Sequence, residues 1–314
     1  VDPPDHAVPR RVFNRILSPR AVAGLRADFD ATAAAFVDEL LERSRSGEVI
    51  DLATDLALRF PFTVLPDAVG LRPDGREHLL RYSAMYFNNR VPGSRLAAAS
   101  EEAGLASLPW VREQCRREHL TPDGFGAAIY ESVDRGEIDD DTAAGLVRTF
   151  LGGGIDTTVL VLGSLFHLLA NDRAQWELLR ADPTLVRPAF EEALRLAPGA
   201  PWVGRTTTTS VELGGVSVEP EQKVICSLIG ANRDPSRWER PDDFDLTRSA
   251  AGHLGFGLGP HFCVGHATAR LEAECLVAAV VDRVAGFEPA GEPRYVLNNW
   301  LYGVEHLPVR LTPA

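Results

Sequence analysis

Apolar residues recur at helical spacing through most of the first two thirds of the chain. In residues 26–46 they fall at Phe29, Ala33, Phe36, Val37, Leu40 and Leu41, the buried face of a helix. Pro61 and Pro66 interrupt the next apolar stretch and predict short helices joined by turns. A helical pattern with Tyr82, Met85, Tyr86 and Phe87 ends near Pro92-Gly93, and a loop rich in small residues is expected from there to about Leu108. A longer apolar pattern opens on Asp139-Asp140-Asp141-Thr142, an acidic helix start, and runs to about Asn171. Another helix is predicted over residues 188–196. After Pro198 the pattern changes. Residues 206–211, 216–218 and 223–228 read as short strands, separated by Gly214-Gly215 and Pro220-Glu221. The expected fold is mostly α with a smaller β region. No repeat or long linker divides it, so one domain over residues 1–314 is expected.

The long helix has an unusual centre. Gly152-Gly153-Gly154-Ile155-Asp156-Thr157-Thr158 sets three glycines and three polar side chains into an apolar rod. Each glycine costs a helix about 1 kcal/mol relative to alanine. A local widening where a ligand lies against the backbone accounts for this. A glycine kink with a capped hydroxyl cluster is the structural alternative.

Composition narrows the function. The net charge is −12 and the pI about 5.2, which argues against nucleic acid or an anionic membrane as the main partner. Apolar residues make up 45% and charged residues 24%, ordinary for a globular enzyme. No run of about 18 apolar residues is seen, so no membrane span is expected. No leader-like segment opens the sequence, and a cytoplasmic setting is expected. The 4 cysteines, Cys115, Cys226, Cys263 and Cys275, form no CxxC pair, and His261, Cys263 and Cys275 match no usual zinc spacing.

The most informative stretch is Phe256-Gly257-Leu258-Gly259-Pro260-His261-Phe262-Cys263-Val264-Gly265, which runs directly into a helical pattern from His266. A thiol at a helix N-terminus meets free backbone N–H groups and the positive end of the dipole, which should lower its pKa. Glycines 257, 259 and 265 leave room for a flat cofactor.

This Phe-Gly-x-Gly-x-His-x-Cys-x-Gly run resembles the haem-ligand loop of the cytochrome P450 family, with Thr268 where a leucine is usual. The resemblance implies haem b with Cys263 as its axial thiolate, the Phe256, Gly257, His261 and Gly265 positions shaping the loop around it. Gly153-Gly154-x-Asp156-Thr157 resembles the same family's oxygen-activation segment. By that likeness Gly153 and Gly154 make room for dioxygen, Thr157 hydrogen-bonds it and Asp156 relays protons. Glu192 and Arg195, at i and i+3, match the family's Glu-x-x-Arg ion pair, with Arg248 as third member. Arg205, His253, His6 and Arg10 match positions that bind haem propionates, although Pro9 departs from the pattern and could strain the helix carrying His6 and Arg10.

The likeness covers the whole chain, while relatives carry a further N-terminal part, so an N-terminally truncated form of the fold is expected. It implies a haem-thiolate monooxygenase taking dioxygen, with electrons from NAD(P)H through ferredoxin reductase and ferredoxin. A ferredoxin is expected to dock on the Cys263 side near Arg10, Arg11 and Arg270. A peroxide-driven peroxygenase and a vestigial haem-binding protein are the alternatives. Phe87, Trp202, Val203 and Trp300 are the candidate substrate-pocket residues, and a small aromatic acid is the expected substrate class.

Overall fold

A computed structural model describes residues 2–314. Helix α1 (Ala7–Ile16) buries Val12, Phe13 and Ile16. Pro9 lies in its first turn, where a backbone N–H has no intrahelical acceptor, so the ring breaks no ladder bond and the strain expected at His6 and Arg10 does not arise. After α2 (Pro19–Ala23), α3 (Arg26–Arg45) forms where the apolar spacing placed it.

Strand β1 (Ile50–Asp51) leads into a π-helical run, Leu52–Leu58, whose first N–H groups are capped by the Asp51 carboxylate. That run continues directly into α4 (Arg59–Val69). The prolines therefore do not split this segment as expected. Pro61 falls in the first turn, and Pro66 sits near the end, where Gly70 at φ 91° closes the helix.

Helices α5 (Glu77–Asn88) and α6 (Arg95–Gln114) form an antiparallel pair. The loop expected to about Leu108 is the first two thirds of α6. The Ser94 hydroxyl caps it by accepting from the Ala97 N–H, and the alanines that read as loop residues are strong helix formers. Gly104 lets α6 lie against Met85 of α5, where a Cβ would collide.

After α7 (Phe125–Asp134), the long apolar pattern resolves into α8 (Asp140–Gly154) and α9 (Asp156–Asn171), broken at Ile155 with φ −83°, ψ −72°. Together they are long and apolar enough to cross a membrane by length and composition, at a mean hydropathy of 1.5, which corrects the expectation of no such stretch. In this fold 61% of that window is buried inside the protein. Leu162, Leu165 and Phe166 of α9 are wholly enclosed, and one apolar cluster runs from Val12 to Leu311 around them.

Helices α10 (Arg173–Ala181) and α11 (Val186–Leu196) follow. Strands β2 (Trp202–Thr206) and β5 (Lys223–Ser227) pair antiparallel from Trp202↔Ser227 to Thr206↔Lys223, enclosing the hairpin β3 (Val211–Leu213) and β4 (Val216–Val218). The first strand begins four residues earlier than expected, because its partner register starts at Ser227. A short α12 (Leu228–Ala231) and an irregular stretch then reach α13 (His266–Arg283). Strand β6 (Val284–Pro289) joins β9 (Pro308–Pro313) and β1 in one antiparallel sheet, and β7 (Arg294–Tyr295) pairs with β8 (Val304–His306).

Candidate active site

The cysteine loop is built on two left-handed glycines, Gly257 at φ 72° and Gly259 at φ 74°, conformations that a side chain would strain. The Cys263 N–H donates to the Phe256 carbonyl at 2.8 Å, and Gly265 stands at the head of α13. The Gly265 and His266 N–H groups reach the thiol, as the spacing predicted. The net effect is opposite to the expected one. Burial pushes the Cys263 thiol up, and these N–H groups, with the charges of Arg10 and Arg270, oppose it without overcoming it. All four cysteines are free.

The second component is the break between α8 and α9. Thr157 Oγ1 donates to the Gly153 carbonyl at 3.0 Å and Thr158 Oγ1 to the Gly154 carbonyl at 3.1 Å. Both bonds bridge Ile155, where the regular ladder lapses. Asp156 is half-buried, and Ser83 of α5 donates its hydroxyl to Oδ2. Burial pushes the Asp156 carboxyl up to about 6, and the Ser83 hydrogen bond pulls the other way.

The glycines here differ in purpose. A Cβ on Gly153 would meet no atom within 4 Å, and the same holds for Gly265, so both present bare backbone to open space. Gly154 does not share this role. Its Cβ would strike Leu65 Cδ2 at 2.6 Å, so this glycine serves the packing of α8 on α4. Gly199, which no local pattern marks, closes on Thr157: a Cβ there would lie 2.7 Å from the Thr157 carbonyl oxygen.

A basic rim surrounds the cysteine loop. Arg10 Nη1 donates to the Phe262 carbonyl at 2.6 Å, one residue from Cys263. The His6 and His261 rings lie 4.6 Å apart, and His261 Nε2 meets Asp2 Oδ1 at 2.7 Å. Arg205 is exposed on β2, and its charge together with the His261 bond holds the Asp2 carboxyl low, the bond being the larger cause. His253 departs from the role expected for it. Its Nδ1 accepts the Gly255 N–H at 2.9 Å and its Nε2 meets Glu191 at 2.8 Å, so neither ring nitrogen is free for a propionate. Arg270 is likewise engaged, by Glu191 through Nη2 at 3.1 Å and over the Phe256 ring at 4.6 Å. It is not the exposed docking cation that the sequence led us to expect, whereas Arg11 is exposed.

Glu192 and Arg195 are both wholly buried and form a bidentate pair, each bond 2.8 Å, and Arg248 Nε adds a third contact to Glu192 at 3.0 Å. The remaining Arg195 donors reach the carbonyls of Asn232, Pro241 and Asp243. Asn232 in turn accepts the Leu254 N–H at 2.7 Å, so the network ends on the segment leading into the cysteine loop.

Phe87 stacks on Trp300 with ring centres 5.4 Å apart, and the Trp300 indole N–H donates to the Trp202 carbonyl at 2.7 Å. Val203 follows on β2. Beside this cluster lies a cleft of about 400 Å³ between α5, α6 and α8, lined by Tyr82, Tyr86, Arg90, Arg112 and Arg148 among others. Arg90 lies 4.6 Å over Tyr86 and 5.0 Å over Trp300, joining cleft and aromatic cluster. Among the described residues, none of these three arginines meets a carboxylate. Sequence pattern missed them, because Arg112 and Arg148 come together only when α6 and α8 pack.

The cytochrome P450 family pattern matches residues 112–300. The chain is also 45% identical over 313 residues to cytochrome P450 CYP199A2 of Rhodopseudomonas palustris, covering 100% of this chain and 75% of that protein. This chain belongs to the cytochrome P450 family. The P450 is 28% identical over 321 residues to a steroid C26-monooxygenase of Mycobacterium tuberculosis, covering 100% of the chain and 85% of the relative. It superimposes on CYP108D1 of Novosphingobium aromaticivorans with a TM-score of 0.87 at 28% identity, covering 100% of this chain and 75% of that one. It is thus an oxidoreductase of the monooxygenase type, and the family implies a haem. The residues present fit one: a thiol at the head of α13, bare backbone at Gly153 and Gly265, and a basic rim.

Proposed function

We propose that this P450 hydroxylates or demethylates a small aromatic carboxylic acid, with residues 1–314 acting as one haem-binding unit. The observation that carries the substrate class is the cleft where Arg90, Arg112 and Arg148, with no carboxylate partner among the described residues, adjoin Tyr82, Tyr86 and the Phe87–Trp300 stack. In a chain of net charge −12, cations left unpaired together favour an anionic ligand. The aromatic rings supply flat apolar surface beside them.

Cys263 would hold the haem, and Arg10, Arg205, His6 and His261 would meet its carboxylates. Bound there, the haem supplies dioxygen activation. The protein's own part is to orient substrate and to deliver protons. The arginines would fix the carboxylate end, leaving the far end of the ring directed toward Gly153. Burial pushes the Asp156 carboxyl up to about 6, nearer neutrality than an ordinary carboxylate, which suits a relay group. The Thr157 hydroxyl, one residue on, would turn its hydrogen from the Gly153 carbonyl toward the cleft. The same acid–hydroxyl pair favours dioxygen over peroxide as oxidant. Electrons would come from NAD(P)H through ferredoxin reductase and ferredoxin, with Arg11 on the cysteine-loop side steering an acidic partner.

Titration of the holoenzyme with para-substituted benzoates and with their methyl esters tests the substrate class. Acids should shift the haem spectrum at least tenfold more tightly than esters, a difference of about 1.4 kcal/mol. Arg148→Ala should erase that preference. Equal binding of acids and esters contradicts it.

A further inference from the structure

The link between α11 and β2, Ala197-Pro198-Gly199-Ala200-Pro201, is stiffened by two prolines, and its glycine is buried. Gly199 abuts backbone. The three atoms nearest to a Cβ placed on it are the Thr157 carbonyl oxygen at 2.7 Å, the Thr157 Cα at 3.1 Å and the Thr157 carbonyl carbon at 3.3 Å. The Gly199 carbonyl accepts the Tyr302 N–H at 3.0 Å, which ties the link to the loop after Trp300. That loop repeats the close approach further along α9. A Cβ on Gly303 would lie 2.5 Å from Leu160 Cβ and 2.6 Å from the Leu160 carbonyl oxygen. A Cβ on Gly163 would lie 2.5 Å from the Val304 carbonyl oxygen. The Val304 N–H donates to Ser164 Oγ at 3.3 Å, and the Ser164 hydroxyl donates to the Leu160 carbonyl at 2.7 Å. Thr157, Leu160 and Ser164 share one helix face. Two loops from distant parts of the chain thus lie against the first turns of α9, largely backbone on backbone.

The helix break gives this contact leverage. The regular ladder lapses at Ile155, so α8 does not by itself fix the first turn of α9, and Thr157 stands in that turn. We propose that Gly199 and its bond to Tyr302 form a backbone brace that sets the place of Thr157, making Gly199 a positioning residue for oxygen activation. That role rests on the reading of Thr157 given above. Backbone cannot step aside by changing rotamer, as a side chain can, so any displacement of Gly199 is passed to the Thr157 turn. The same two loops carry substrate-pocket candidates. Trp202 follows Gly199, Trp300 precedes Tyr302, and the Trp300 indole N–H joins the loops again at the Trp202 carbonyl. One structure therefore holds both the wall of the pocket and the hydroxyl that serves it.

The test uses the holoenzyme with 4-methoxybenzoate as substrate. Gly199→Ala should raise the peroxide released per NADH consumed several-fold and leave substrate affinity unchanged. Gly286→Ala, whose new methyl meets no atom within 4 Å, should leave both as in wild type. In a Thr157→Ala background Gly199→Ala should add no further loss of coupling, because both act on one hydroxyl. Tyr302→Pro removes the N–H without placing an atom against Thr157, and it should uncouple even if Gly199→Ala folds poorly. Tyr302→Ala keeps the N–H and should stay coupled. Amide exchange in the resting protein should find the Tyr302 N–H protected in wild type and open in Gly199→Ala. Full coupling in Gly199→Ala and Tyr302→Pro overturns the proposal. So does a Gly199→Ala loss that adds in full to that of Thr157→Ala, or a fall in substrate affinity as large as the fall in coupling. Unchanged coupling in Thr157→Ala overturns the reading of Thr157 and the positioning role with it. Exchange needs no substrate, so it stands if the aromatic-acid function fails, and a Tyr302 N–H still protected in Gly199→Ala overturns the brace by itself.

Discussion

Ser83 of α5 donates its hydroxyl to Oδ2 of Asp156 at the head of α9. The bond favours the ionised carboxyl while burial favours the neutral one, and their balance leaves the group titrating near pH 6. Ser83→Ala removes the stabilising donor. The acid-side inflection of the turnover profile should therefore move to higher pH, and an unmoved profile would show that Asp156 does not set it.

Asp156→Asn has a stability signature as well as a catalytic one. The folded carboxyl titrates above its unfolded value of about 4, so it favours the fold fully only below that pH. That contribution is lost as pH rises from about 4 through about 6. The asparagine variant should match wild type in acid and gain relative stability above pH 6, while turnover falls by roughly 10²-fold. Thermal melts across pH and single-turnover rates check both parts.

Thr157→Ala should retain haem and substrate but divert reducing equivalents to peroxide, because the Thr157 hydroxyl is then missing beside Gly153. Peroxide released per NADH is the readout, and unchanged coupling would refute the assigned role.

Arg195→Ala removes the bidentate partner of the wholly buried Glu192, leaving its charge to Arg248 alone, and strands three backbone carbonyls. A loss of about 3–5 kcal/mol in folding stability is expected, with poor haem retention. Arg195→Lys should recover little of it, since an ammonium cannot reproduce the bidentate fork. Denaturant titration decides between this and a dispensable pair.

Arg11→Glu should slow the first electron transfer from an acidic ferredoxin at low ionic strength, with the defect fading as salt screens the charge. Arg270 is unsuitable for the same test, because its removal would also release Glu191 and His253. Reduction rates insensitive to Arg11 and to salt would move the docking face elsewhere.

The cysteine loop and the glycine-rich helix centre were legible in sequence because backbone chemistry there demands particular residues at fixed spacing. The α3 stripe and the Glu192–Arg195 pair were readable by helical periodicity. What escaped were contacts made only by packing. Ser83 and Asp156 are 73 residues apart, and nothing local marks the serine. Arg112 and Arg148 lie on α6 and α8 and Arg90 in the turn after α5, and each looks like a solvated charge by itself. Gly154 looked like its neighbour Gly153, although Leu65 gives it a different purpose. The alanine-rich start of α6 was misread because small residues were weighed as loop formers and not as helix formers capped by Ser94.

The most direct test of the whole account is the optical spectrum of the reduced holoenzyme under carbon monoxide, compared across Cys263→Ser, Cys115→Ser, Cys226→Ser and Cys275→Ser. The account predicts the red-shifted Soret band of a thiolate-ligated haem in wild type and in every variant except Cys263→Ser. Persistence of that band without Cys263, or its absence from the wild-type holoenzyme, would contradict it.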